Sequence, residues 1–351
     1  MKMRLKAVIF AAAMLLTGIA APARAYQTRE ATFLIETDTG RVLVSQNATD
    51  LRYPASLTKM MTLYMVFDAL EQGDVTLDTM LVVSQKAAGS PKSRLNLKKN
   101  SKISVENAVL AMIIKSANDA AVVIAEGLGG SEAQFADRMT RVAHELGMKS
   151  TTFKNASGLH DVEQVTTARD MAVLSMALIQ HFPHYYKLFS VKGFRYGKRY
   201  YGNHNLVARF YRGGDGLKTG YVDASGYHVV GSAVRDGKRL IGVVMGRNSV
   251  RERDRQIFKL LDTGFSMLNN AAEGARETVA PPLKNNNEIT DTQMMRRMQI
   301  AQEKLREQID SVASFEASLA LYQAEEGDVL TKTAIVDWGR KKPRKNKRGG
   351  Q

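Results

Sequence analysis

Residues 216–245 read GLKTGYVDASGYHVVGSAVRDGKRLIGVVM, and this stretch decides the architecture. Tyr227–Arg235 and Lys238–Met245 are apolar, Val-rich runs separated only by Asp236-Gly237, a pair that favours a two-residue hairpin because both positions accept positive φ. Gly216–Tyr221, just before them, is a candidate third strand. Near the other end of the body, Ala31–Glu36 and Arg41–Ser45 bracket Asp38-Thr39-Gly40 and read as a second hairpin. Between the two strand groups the signals are mainly helical. Leu57–Leu70 is apolar on nearly every face, so it predicts a buried helix stopped at Gly73. Val105–Lys115, Ala117–Glu126, Glu132–Leu146 and Thr167–His181 follow, most of them separated by polar or Gly-containing breaks. After the last strand, Arg251–Leu268 carries Ile257, Leu260, Leu261, Phe265 and Leu268 on one stripe, an amphipathic helix. Strands at both ends with a helical block inserted between them imply an α+β fold. An antiparallel β-sheet is flanked by helices, an all-α lobe is inserted, and a cleft lies where the two meet.

Composition narrows the chemistry. The 351 residues are 44% hydrophobic and 24% charged, ample for a core, and contain no cysteine. Disulfides, thiolate zinc sites and cysteine nucleophiles are thereby excluded. Six histidines are scattered, none in an H-E-x-x-H pattern, and the one close pair, His181 and His184, is separated by Phe182-Pro183; no catalytic metal is expected. The net charge of +15 sits mostly at the ends: residues 1–25 hold four basic groups and no acids, Arg340–Arg348 holds seven, and the remainder carries only +4. A nucleic-acid partner is therefore not expected.

The ends have their own readings. Lys2, Arg4 and Lys6 precede an apolar run, Ala7–Ala21, and Ala23-Arg24-Ala25 supplies a small-residue cleavage site. Residues 1–25 read as a signal peptide cut near Ala25, placing the mature chain in the periplasm or cell envelope. Residues 26–270 form the main domain, and 271–289, with Pro281-Pro282 and Asn285-Asn286-Asn287, read as a linker. A C-terminal helical extension over 290–326 carries Met298, Leu305, Val312 and Leu319 at sevenfold spacing. Asp291–Glu326 holds four basic and seven acidic residues, a poor match to an anionic membrane. Residues 327–351 form a basic tail, expected to be disordered and to make weak contact with anionic wall polymers or membrane. The oligomeric state stays open.

Three motifs occur in order: Ser56-Leu57-Thr58-Lys59, Ser116-Ala117-Asn118 and Lys218-Thr219-Gly220. Ser56 and Lys59, three apart on a helix, share a face, so the amine can reach the hydroxyl. A serine needs a base to become a nucleophile, and a lysine desolvated beside other cations loses its proton readily enough to serve. Ser56 at a helix N-terminus also aims backbone N–H groups at an oxyanion, and the N–H of Tyr221 could supply a second donor. Lys218 offers a positive charge for a substrate carboxylate, Thr219 a hydroxyl, and Gly220 room for an extended peptide. Ser116 and Asn118 offer a proton relay and an amide for a substrate carbonyl. Each motif alone is commonplace; the ordered set at element ends is informative.

With these motifs the chain resembles the serine-type D-alanyl-D-alanine carboxypeptidases, the low-molecular-mass penicillin-binding proteins, over roughly Ala31 to Leu268. Tyr53–Thr62, Ser116–Ala121, Asn155–Leu159, Thr167–Met171 and Asp215–Tyr221 carry the likeness. It implies a β-lactamase/transpeptidase-like fold, with 26–270 as a penicillin-binding D,D-peptidase domain. It implies that Ser56 forms the acyl-enzyme, Lys59 accepts its proton, Ser116 assists, Asn118 positions substrate and Lys218 binds the terminal carboxylate. Arg253 is similar to a second carboxylate-binding arginine. The implied substrate is the terminal D-Ala-D-Ala of peptidoglycan stem peptides, with no metal or cofactor, and β-lactam antibiotics would acylate Ser56. Many relatives carry a β-rich second domain and an amphipathic C-terminal anchor, where this chain has a linker, a helix and a basic tail. Three alternatives stand beside this reading: a D,D-endopeptidase on the same machinery, a class A β-lactamase, and a non-catalytic wall-binding scaffold. The lactamase needs a Glu-x-x-x-Asn context, and Glu163 is followed by Gln164, Val165, Thr166 and Thr167.

Overall fold

The computed structural model describes residues 30–277, with side chains through 270. The signal-peptide reading of 1–25, most of the linker, the 290–326 helix and the basic tail fall outside the described residues. In chain order the elements are β1 (Ala31–Glu36), β2 (Val42–Gln46), α1 (Lys59–Glu71), β3 (Met80–Val82), α2 (Gln85–Ala88), β4 (Lys102–Ser104), α3 (Val105–Leu110), α4 (Asn118–Gly129), α5 (Glu132–Glu145), α6 (Ala168–His181), α7 (Pro183–Tyr186), β5 (Gly193–Tyr196), β6 (Arg199–Gly202), α8 (Leu206–Phe210), β7 (Gly214–Val222), β8 (Gly226–Arg235), β9 (Lys238–Arg247) and α9 (Val250–Glu277).

The five-stranded sheet has order β2-β1-β9-β8-β7, every pair antiparallel. Its β8–β9 hairpin turns on Asp236 and Gly237, both at positive φ, as the Asp-Gly pair predicts. Alternation along β9 sends Leu240 and Val244 to the face covered by α9, while Ile241, Val243 and Met245 join the larger core on the other face. Gly231 and Gly242 are cross-strand partners on the α9 face, and a Cβ on either would stand 2.9 or 2.8 Å from Ile257. Their missing side chains let the helix settle close to the sheet. The opposite face packs on α6, and α1, buried along almost its whole length, runs through the centre of the helical lobe.

The sequence-predicted helices and the two hairpins are present, with informative differences. Val105–Lys115 is not one helix: α3 gives way to a π turn over Ala111–Lys115 that ends at Ser116 in the left-handed region (φ +59°). π turns recur where a chain must re-aim a side chain, and here the widened turn presents Ser116. The pairs β3–β4 and β5–β6 lie in stretches without a sequence-level strand reading. These strands are three or four residues long, and β3 finds β4 about 20 residues away, so no local alternation announces them. The last helix, read as Arg251–Leu268, continues to Glu277, into the stretch read as linker.

One loop is held by close backbone approach. Gly158 has φ +83°, and a Cβ there would meet the Ala55 carbonyl oxygen at 1.8 Å, whereas Gly147, at φ +92°, has nothing within 4 Å. Gly147→Ala should therefore cost only the left-handed strain, about 1–2 kcal/mol, and Gly158→Ala should cost at least about 3 kcal/mol, because backbone must move as well. Paired thermal or urea unfolding of the two variants checks the ordering; equal losses would contradict it.

Candidate active site

Three segments remote in sequence converge on the amine of Lys59. The first is the 3-10 turn Ala55–Thr58, which leads directly into α1 and carries Ser56. The second is the N-terminus of α4, which begins with Asn118. The third is the loop Asn155–Gly158, tightened by Asn155, whose Oδ1 accepts from the N–H of Gly158 at 2.7 Å. Lys59 Nζ lies 3.1 Å from Ser56 Oγ and 2.8 Å from Asn118 Oδ1, and it also bonds the carbonyl oxygen of Ser157. The lysine is fully buried. Burial first, and the charge of Lys218 second, hold its pKa well below the ordinary lysine value. A neutral amine has two N–H bonds and one lone pair. The Asn118 and Ser157 oxygens accept the two N–H bonds, leaving the lone pair for the Ser56 hydroxyl proton.

Asn118 is itself held. Its Nδ2 donates to the carbonyls of Pro91 and Lys92 at 3.1 and 3.2 Å, and its N–H donates to Ser93 O at 2.7 Å. Asp119 beside it accepts from the N–H groups of Leu95 and Leu97, tying the 91–97 loop to α4. Both polar atoms of the Asn118 amide are thus engaged, Oδ1 with the lysine and Nδ2 with the loop, while the residue also lines the cleft. Ser116 Oγ is buried, lines the same cleft and makes no hydrogen bond.

The edge strand β7 passes directly over the 3-10 turn. A Cβ on Gly220 would stand 3.1 Å from Ser56 N and 3.3 Å from Leu57 N, so only glycine permits this contact without a shift. The cleft between β7 and the helical lobe has a volume of about 580 Å³, and Ser56, Ser116, Asn118, Thr219, Tyr221 and Arg253 are among the residues that line it. No Asp or Glu lines it among the described residues, while Lys92, Arg209 and Arg253 do. Lys218 sits beneath this wall, buried, with Nζ donating to Thr219 O at 3.0 Å. It is not among the residues that line the cleft, whereas Thr219 and Arg253 are. Arg253 is also buried, held by Asp254 through Nε at 2.8 Å and Nη2 at 2.7 Å. Tyr221 is half exposed and packs on Tyr227, ring centroids 4.2 Å apart. No group of three His, Asp or Glu side chains suited to a metal occurs among the described residues.

Sequence reasoning gave no role to the Ser157 carbonyl, to Asp119 or to the Pro91 and Lys92 carbonyls. Backbone oxygens carry no residue-type signal; the Asn155–Leu159 and Ser116–Ala121 segments marked the place but not the contacts.

The fold is that of the penicillin-binding proteins. Penicillin binding protein 5 from Haemophilus influenzae superposes with a TM-score of 0.65 at 35% identity, covering 67% of this chain and 70% of that one. Penicillin-binding protein D2 from Listeria monocytogenes, solved in its cefotaxime-bound form, gives 0.62 at 32% identity, covering 67% and 96%. Residues 19–249 match the family described as D-alanyl-D-alanine carboxypeptidase, and the chain belongs to that family. It is 35% identical over 242 residues to D-alanyl-D-alanine carboxypeptidase DacF of Bacillus subtilis, covering 66% of this chain and 61% of DacF. It is 37% identical over 255 residues to DacC of Escherichia coli, covering 71% and 62%. The chain thus spans about three fifths of the length of these curated relatives.

Burial, and next the charge of Arg253, lower the pKa of Lys218 from 10.5 to about 7. Between those two values the unfolded chain holds a proton that the native one has shed, so this residue makes stability rise with pH across that window. Lys218→Met should therefore stabilise the fold at about pH 6 by on the order of 1–3 kcal/mol, with the gain fading toward about pH 10. Urea midpoints of variant and wild type at the two pH values check this, and a gain independent of pH would oppose it.

Proposed function

We propose that the chain is a serine D-alanyl-D-alanine carboxypeptidase that removes the terminal D-alanine from peptidoglycan stem peptides and so limits cross-linking. The observation that carries this reading is the buried amine of Lys59, 3.1 Å from Ser56 Oγ with its N–H bonds already accepted by Asn118 and Ser157. In the proposed reaction Ser56 Oγ attacks the penultimate carbonyl carbon while its proton passes to Lys59 Nζ. The oxyanion is met by the backbone N–H groups of Ser56 and Tyr221. Collapse expels D-alanine, whose amine takes the proton back from Lys59, with Ser116 as a relay. Water then attacks the ester with Lys59 again as base, regenerating the serine. Thr219 and Arg253 receive the terminal carboxylate, and Lys218 adds its charge from beneath. Asn118 acts through the lysine it orients.

β-Lactams would enter the same cleft and acylate Ser56, in keeping with the antibiotic-bound forms solved for the Listeria relative. The lactamase reading has little support: Glu163 is exposed and ion-paired with Lys154 at 3.1 Å, and no carboxylate lines the cleft among the described residues. The proposal includes export through the 1–25 signal peptide and weak contact of the 327–351 tail with anionic wall polymers or membrane.

Mass spectrometry after penicillin treatment should find a persistent adduct on Ser56, absent from Ser56→Ala. Lys59→Ala should stay folded yet acylate about 10²–10⁴-fold more slowly. Purified protein should release D-alanine from a pentapeptide; turnover confined to cross-linked dimers would make it an endopeptidase. A folded wild type that takes no penicillin would leave the scaffold reading.

A further inference from the structure

One buried titratable side chain touches the segment that carries the nucleophile and has no part in the reaction above. His228 lies in β8, fully buried, opposite Gly220 of β7 in register. Its Nε2 is 3.1 Å from the carbonyl oxygen of Tyr53, and its Nδ1 is 3.0 Å from the backbone nitrogen of Gly246. A carbonyl can only accept and a backbone N–H can only donate. The proton therefore sits on Nε2 and the lone pair on Nδ1, and the two partners together select one neutral tautomer. Burial lowers the histidine pKa to about 4; the Tyr53 and Tyr227 carbonyls oppose this, and the charges of Arg253 and Arg52 reinforce it.

The carbonyl that His228 holds opens the turn Tyr53-Pro54-Ala55-Ser56. Ala55 has φ +49°, a left-handed conformation that costs a residue with a Cβ about 1–3 kcal/mol and persists only where the surroundings over-determine it. On one side Arg52 exchanges backbone hydrogen bonds with Thr166, both at 2.8 Å. Gly158 packs on the Ala55 carbonyl and Gly220 on the nitrogen of Ser56. The His228 bond adds a directional tether from the middle of the sheet to the residue three before the nucleophile. Because His228 and Gly220 are cross-strand partners, the same point of the sheet sets the height of the turn and of the β7 segment facing it.

We propose that His228 is a positioning residue: its Nε2–H clamp on the Tyr53 carbonyl holds the strained turn so that Ser56 Oγ meets the Lys59 amine and Ser56 N–H meets β7. The proposal rests on the reading of Ser56 as nucleophile. Two substitutions separate the clamp from mere core filling. A glutamine amide nitrogen falls near the place of Nε2 and can keep the Tyr53 bond, whereas an asparagine oxygen falls near Nδ1 and keeps only the Gly246 bond. Each variant loses one buried hydrogen bond, so similar falls in melting temperature are expected. The second-order rate of penicillin acylation should fall about tenfold or more in His228→Asn and stay within about threefold of wild type in His228→Gln. The Asn loss should lie in the acylation step rather than in initial binding. Equal slowing in both variants, or none in Asn, overturns the proposal. The wild type supplies a check that needs no variant: imidazole nitrogen NMR should report the Nε2–H tautomer at neutral pH, and the Nδ1–H tautomer overturns the clamp. A wild type that is not acylated at Ser56 overturns the functional reading and this proposal with it, whereas normal wild-type labelling with equal slowing in both variants overturns the clamp alone.

Discussion

The desolvated amine of Lys59 is the constraint on which the rest of the structure turns. A lysine with no solvent contact is costly in its charged form, and here it lies at the start of the helix that fills the centre of the lobe. The fold meets that cost by supplying acceptors for two N–H bonds from two separate segments, Asn118 at the head of α4 and Ser157 in the Asn155–Gly158 loop. Each acceptor is in turn fixed: Asn118 by the 91–97 loop, Ser157 by the turn that Asn155 closes. The nitrogen is therefore the point at which the helical lobe and the loop beneath the sheet are required to agree.

A second buried lysine compounds the first. Lys218 is also buried, depresses the Lys59 pKa, and is itself depressed by burial and by Arg253. The described part of the chain thus gathers buried basic groups at a cleft that no carboxylate lines, an arrangement that works against stability. Under the proposed function, binding and basicity would be coupled through this field, which lowers the Lys59 pKa.

The 3-10 turn, the π turn and the left-handed residues Ala55 and Ser116 all occur where a side chain has to leave the regular path of its element. None is a defect of packing, since the residues around them are among the most buried in the molecule. Local irregularity is stored at the site and supported by rigid neighbours, the edge strand β7 above and α1 behind.

The sheet and its hairpins were legible because short apolar runs around an Asp-Gly or Asp-Thr-Gly turn are local signals, and α1 because a run apolar on every face has nowhere to go but inside. The three motifs were legible as residue types in order, and they do meet in one cleft. The sequence did not reveal that Lys218 would lie under the wall rather than in it, that the Asn118 amide would be fully engaged, or that a histidine in β8 would hold the turn before Ser56. It also missed β3–β4 and β5–β6, whose strands are too short to carry a period. Residue type and spacing along one element were enough to single out Ser56, Lys59 and the other motif residues. Which nitrogen is dry, which carbonyl it meets and which face of the sheet lies beneath it are set by contacts between segments tens to nearly two hundred residues apart, and such contacts exist only once the core has closed.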